Sequence, residues 1–160
     1  MNSNALTMIF RKNKYVFHCM SEQPEKSCYL LKFEMKACNL DFIIEQHHDS
    51  HKRMFIYAVF PLKILPKKRN DMAILITLFN NNLASGCWEL NMQDGALRFR
   101  ISYLYEEDAY RFEHVFMEHM DEAIRFTDIC TPAILSVIFA NANPHEVFQQ
   151  LTKSVDIGMN

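Results

Sequence analysis

The chain has 160 residues, 49% hydrophobic and 22% charged, with a net charge of −2. That length suits one domain with a sizeable core, and the composition excludes a disordered, fibrous or strongly basic nucleic-acid-binding chain. Charge is spread unevenly: residues 1–70 carry 12 Lys/Arg and 6 Asp/Glu, a net of +6, while residues 71–160 carry 5 and 13, a net of −8.

Residues 1–20 read as an N-terminal extension, with 15–20 either a strand or an extended lead-in. The apolar run 5–10 is followed, not preceded, by Arg11, Lys12 and Lys14, the reverse of a signal peptide. Ser21, Pro24 and Glu25 resemble a helix start, with Leu31, Met35 and Cys38 forming one stripe. Leu40, Phe42 and Ile44 alternate with Asp41 and Glu45 as in a half-buried strand. The polar segment 47–52 then turns the chain into 54–60, apolar throughout as in a strand buried on both faces. Pro66 suits the first turn of a buried helix that runs to about Asn82.

Residues 86–103 predict a β-hairpin. Asp94-Gly95 suits a two-residue type I′ turn. Folding there sets Met92 opposite Leu97, Leu90 opposite Phe99 and Trp88 opposite Ile101. The alternate positions set Asn91 against Arg98, Glu89 against Arg100 and Cys87 against Ser102. One face is then apolar and the other polar, with a Glu89–Arg100 ion pair.

An amphipathic helix follows the acidic 106–108, with Phe112, Phe116, Met120, Ala123 and Ile124 on its apolar face. Thr131-Pro132 predicts a fresh N-cap and a second apolar segment, 133–140. Asn143 and Glu146 predict a capping box for a short helix to about Lys153, and 154–160 a frayed tail. The expected fold class is α+β, an antiparallel sheet with helices packed on one face, in the order helix, strands, helix, strand hairpin, helices, forming a single domain over 1–160.

Candidate chemistry is sparse. His47, His48, Asp49 and His51 crowd one turn, where neighbouring side chains diverge, so a polar loop is expected rather than a metal site. His114, Glu118 and His119 lack the i, i+4 histidine spacing of a metalloprotease helix. Three glycines cannot build a phosphate cradle, and Asp94 reads as a turn residue rather than a catalytic carboxylate. The five cysteines are odd in number and never CxxC, which fits a reducing cytoplasm, and Cys87 and Cys130 have no nucleophile signature. The basic cluster Lys63, Lys67, Lys68 and Arg69 reads as solvated surface. No catalytic residue, cofactor or metal is expected, nor a nucleic-acid or membrane partner.

The segment FPLKILPKKRNDMAILITLFNNNLASGCWELNMQDGALRFRISY, with the downstream helix, TPAILSVIF and ANPHEVF, resembles the YbjN family of bacterial proteins. That family shares its fold with type III secretion chaperones. The resemblance covers about residues 60–142. It implies a type III secretion chaperone-like sheet and a non-enzymatic regulatory or chaperone-like role in the cytoplasm. It further implies a homodimer that binds another protein. It supplies no catalytic residues. The polar hairpin face, Glu89, Arg98 and Arg100, is the candidate partner-binding surface. A dedicated secretion chaperone or immunity-type inhibitor of one basic toxin or effector is the rival reading, suited to the acidic C-terminal half, and an unrecognised hydrolase or transferase is the third, because triads assembled in space leave little trace in sequence.

Overall fold

The computed structural model describes residues 4–154. Helix α1 (Asn4–Lys12) leads into four consecutive strands, β1 (Phe17–Gln23), β2 (Lys26–Glu34), β3 (Asn39–His47) and β4 (Arg53–Val59). A 3-10 turn at Pro66–Lys68 starts α2 (Arg69–Asn80). Then come β5 (Cys87–Leu90), β6 (Leu97–Leu104), the long α3 (Ala109–Phe139) and α4 (Pro144–Ser154). The strands form one antiparallel sheet in the order β1-β2-β3-β4-β6-β5. Alternate residues explain the core: Tyr29, Leu31, Phe42, Ile44, Met54, Ile56, Phe99 and Ile101 are all buried. They pack against Leu6 and Phe10 of α1, Phe79 of α2, and Phe116 and Phe126 of α3. The helices thus cover one face, and the opposite face carries half-exposed side chains.

Five expectations need correction. The strand expected to be buried on both faces, 54–60, is half-exposed on one: Phe55, Tyr57 and Val59 alternate with buried Met54, Ile56 and Ala58, because helices cover one side of the sheet alone. The stretch read as a helix from Ser21 is a hairpin: Gln23 faces Lys26, and Pro24-Glu25 is its two-residue connection. Proline pre-sets φ for a turn as well as for a helix start. The alternation of Tyr29, Leu31 and Phe33 with Lys32 and Glu34 wins because β2 is paired on both sides. The N-terminal residues likewise supply α1 and β1, where only a lead-in or short strand was expected. The tail 155–160 lies outside the described residues.

The hairpin forms two residues out of the expected register. Leu90 faces Leu97, Trp88 faces Phe99, Glu89 faces Arg98 and Cys87 faces Arg100. A type I′ turn needs positive φ at both central residues. Gly95 has φ +80°, and Asp94 is not in that region. Instead residues 92–95 loop out. The Asn91 carbonyl accepts the Gly95 N–H at 2.8 Å, and the Asp94 carboxylate accepts the Ala96 N–H at 3.0 Å. A shift of two keeps the strand side chains of 87–90 and 97–102 on their expected faces, while Met92, expected on the apolar face, is 49% exposed in the loop.

The expected break at Thr131-Pro132 is absent, and α3 runs through Pro132. An internal proline costs about 3 kcal/mol, but Phe126, Cys130, Ala133, Ile134 and Val137 bury one continuous stripe across it. Asp108 caps the start of α3 through the Arg111 N–H at 2.8 Å. Asn143 caps α4 through the His145 N–H at 2.9 Å.

Candidate functional site

The bare face of the sheet is built by the residues between those that enter the core. One cross-strand row runs Leu30, Ile43, Tyr57, Arg100, Cys87, and its neighbour runs Lys32, Asp41, Val59, Arg98, Glu89. Glu89 accepts from Arg98 Nε at 2.7 Å and from Arg100 Nε at 2.6 Å. The expected Glu89–Arg100 pair therefore exists, but as a diagonal contact, and Arg98 takes the directly opposed position. Arg98 also lies 4.5 Å from the Tyr57 ring centre, which is stacked parallel to Phe55. Arg100 donates further to Ser102 Oγ at 3.0 Å and to Cys87 Sγ at 3.6 Å.

Partial burial pushes the Glu89 carboxyl up, yet the hydrogen bonds from Arg100 and Arg98 outweigh it, so the group sits below the usual carboxylate range. The same contact raises Arg100. The three residues that sequence reasoning placed on one face do converge. Their chemistry is that of two guanidinium groups held by one carboxylate beside an aromatic ring.

The histidine turn separates as expected for a loop. His47 packs edge-on to Phe55, Asp49 accepts from Arg53 at 2.7 Å, and His48 turns inward. There Ser27 Oγ lies 3.0 Å from His48 Nε2, and Tyr105 donates to the His47 carbonyl at 3.0 Å. Burial lowers the His48 value and favours neutral imidazole. Ser27 is fully buried, which leaves no approach for a substrate at its hydroxyl. Among the described residues no three His, Cys, Asp or Glu side chains are grouped to hold a metal ion.

His114 and Glu118 lie on the solvent side of α3, 3.4 Å apart, each side chain 62% exposed. Burial pushes the Cys130 thiol up to about 12, so it stays protonated and inert. Asp94 is held below the usual carboxylate range by Lys63 at 2.8 Å. The basic cluster divides: Lys63 and Lys67 are exposed, as expected, while Lys68 and Arg69 are tied into the fold. Arg69 donates to the carbonyls of Ile64, Met92 and Gln93, and Lys68 is buried beside Asp71.

One feature has no counterpart in the sequence reading. His119 lies against Tyr103, ring centres 4.3 Å apart, in the wall of a cavity of about 210 Å³ between the end of β6 and the start of α3. Tyr103 and His119 are too far apart in sequence for a local motif to signal their meeting. No helix among the described residues is long and apolar enough to cross a membrane. No protein-family model matches the chain, and no curated protein matches it.

Proposed function

We propose that this chain is a non-enzymatic protein-binding module of the YbjN type, chaperone-like in its sheet, working in the cytoplasm as a homodimer that engages another protein. The observation that supports it is the uncovered sheet face. Every helix packs on the other side, which leaves Leu30, Ile43, Phe55, Tyr57 and Val59 half-exposed beside the Glu89–Arg98–Arg100 cluster. An apolar centre edged by hydrogen-bonded charge is the anatomy of an interaction surface, with Arg and Tyr as its typical anchors. The partner surface would set an apolar strip against the Tyr57 row and carboxylates against the two arginines.

The test is a double charge reversal, Arg98→Glu with Arg100→Glu, set beside wild type in affinity capture and light scattering. The fold is monitored by thermal unfolding. Loss of the captured partner or of the dimer, with unfolding little changed, is the expected result. Unaltered capture and unaltered mass would overturn the role of this face.

A further inference from the structure

Tyr103 belongs to the odd-numbered set of β6 that faces the helices, with Leu97, Phe99 and Ile101. Those three are buried and apolar and close the core. Tyr103 brings a hydroxyl to the same side. Burial pushes this phenol up from its ordinary value, so it stays protonated. A neutral phenol both donates and accepts, yet Tyr103 Oη is buried with no hydrogen-bond partner among the described residues.

His119 of α3 lies against the Tyr103 ring, and its Nδ1 is likewise buried without a hydrogen bond. A Glu122 carboxylate oxygen is 3.6 Å from it, beyond hydrogen-bond reach. That oxygen already accepts from the Ser85 hydroxyl. Buried polar side chains are bonded to protein or water in the large majority of cases. Two such atoms left over on neighbouring residues mark a place where a polar group belongs.

Both residues wall the 210 Å³ cavity. Its other walls are aromatic or apolar: Phe112 stands edge-on to Tyr105, ring centres 5.3 Å apart, with Val115 one turn further along α3. An apolar cavity of about 150 Å³ holds a benzene ring, so 210 Å³ holds one ring with a short arm. Such walls with two polar atoms suit a ring bearing one hydroxyl better than a chain of waters, each of which wants two to four polar partners. The surroundings are acidic: residues 104–122 hold seven Asp/Glu against one Arg. That residue, Arg111, donates to Glu106 at 3.1 Å on the exposed rim of the cavity. An exposed ion pair holds weakly, so a ligand cation can take the place of Arg111 on Glu106.

We propose that the cavity between the end of β6 and the start of α3 is a binding site for a small phenolic amine. The ligand ring lies among Tyr105, Phe112 and Val115. Its hydroxyl accepts from Tyr103 Oη and donates to His119 Nδ1, and its ammonium faces Glu106. The site opens on the helix side of β6, away from the uncovered sheet face, so it stands or falls independently of the protein-binding reading.

The probes are tyramine, p-ethylphenol and p-hydroxyphenylacetate, which share a hydroxylated ring and carry a positive, a neutral and a negative arm, together with phenethylamine, which lacks the hydroxyl. Each is titrated into the full chain at millimolar concentration and followed by the backbone amide signals in NMR. The proposal expects tyramine to bind tightest, phenethylamine about tenfold more weakly, and p-hydroxyphenylacetate least of all, with shifts gathered at 103–106 and 111–119. Tyr103→Phe should weaken tyramine about tenfold and leave phenethylamine unchanged, a difference that a merely structural role for the hydroxyl would not produce. Arg111→Gln should tighten tyramine by freeing Glu106. Val115→Trp should fill the cavity and abolish binding. If Tyr103→Phe fails to fold, Val115→Trp and the tyramine-to-phenethylamine ratio decide alone.

Binding of none of the four overturns the site and leaves its two polar atoms to water. Equal weak binding of all four, or binding indifferent to Tyr103→Phe and Val115→Trp, overturns it as non-specific partitioning. Tightest binding of p-hydroxyphenylacetate, lost in Arg111→Gln, would assign the cavity to an anion and overturn the proposal as well. Each of these outcomes leaves the protein-binding reading of the sheet face where it stood.

Discussion

The Gly95 carbonyl accepts the Ile64 N–H at 2.7 Å, and at that point the hairpin loop meets the connection between β4 and α2. The approach is so close that a Cβ on Gly95 would overlap the Ile64 carbonyl oxygen. Arg69 closes the junction from the helix side by reaching Ile64, Met92 and Gln93. This docking, more than the turn's own preference, sets the hairpin register.

Gly95→Ala is therefore expected to destabilise the fold by about 1–3 kcal/mol from the positive φ alone, with the overlap adding to it. Urea unfolding checks this as a lower midpoint with an unchanged slope.

Asn80→Ala should strip both Trp88 backbone groups of their partner and cost about 1–3 kcal/mol. Hydrogen exchange at the Trp88 amide is the sharper readout. Faster exchange there, with the amides of β3 unchanged, is the expected pattern.

The two faces of the hairpin should separate cleanly. Phe99 is fully buried against Trp88 and Phe126, so Phe99→Ala should cost about 3–5 kcal/mol. Arg98 is 48% exposed, and Arg98→Ala should cost about 1 kcal/mol or less. Equal losses measured by thermal unfolding would contradict the assignment of one face to the fold and the other to recognition.

Acid should release the Glu89 cluster. The folded carboxyl lies below its ordinary value of 4.5, so its contribution is present in full above that pH and is lost as pH falls through the folded value. Glu89→Gln should cost about 1 kcal/mol or less at neutral pH, because the carboxylate remains partly solvated. The difference from wild type should close as pH drops below 4.5. A difference that stays constant to lower pH would show that the charge of Glu89 contributes nothing.

How legible was all this in the sequence? The polar and apolar faces of 86–103 were readable because alternation survives any even shift of register. The register itself was not, since it depends on Ile64 and Arg69, distant in sequence and brought in by α2. Pro24 and Pro132 misled for one reason: proline suits turns, helix starts and, at a cost, helix interiors, and only tertiary pairing or burial chooses between them. The Glu89, Arg98 and Arg100 cluster could be read from cross-strand position. The Ser27–His48 contact and the Tyr103–His119 cavity could not, because each joins segments that meet only after the sheet has formed.

The central claim, that the uncovered sheet face engages another protein, is tested most directly by photocrosslinking. A photoreactive amino acid is placed at Ile43, in the middle of that face, and at exposed Gln150 on α4 as the comparison. The account expects a discrete protein adduct at position 43 that disappears in the Arg98→Glu, Arg100→Glu background, and none of that mass at position 150. No adduct at 43, or the same adducts at both positions, would contradict it.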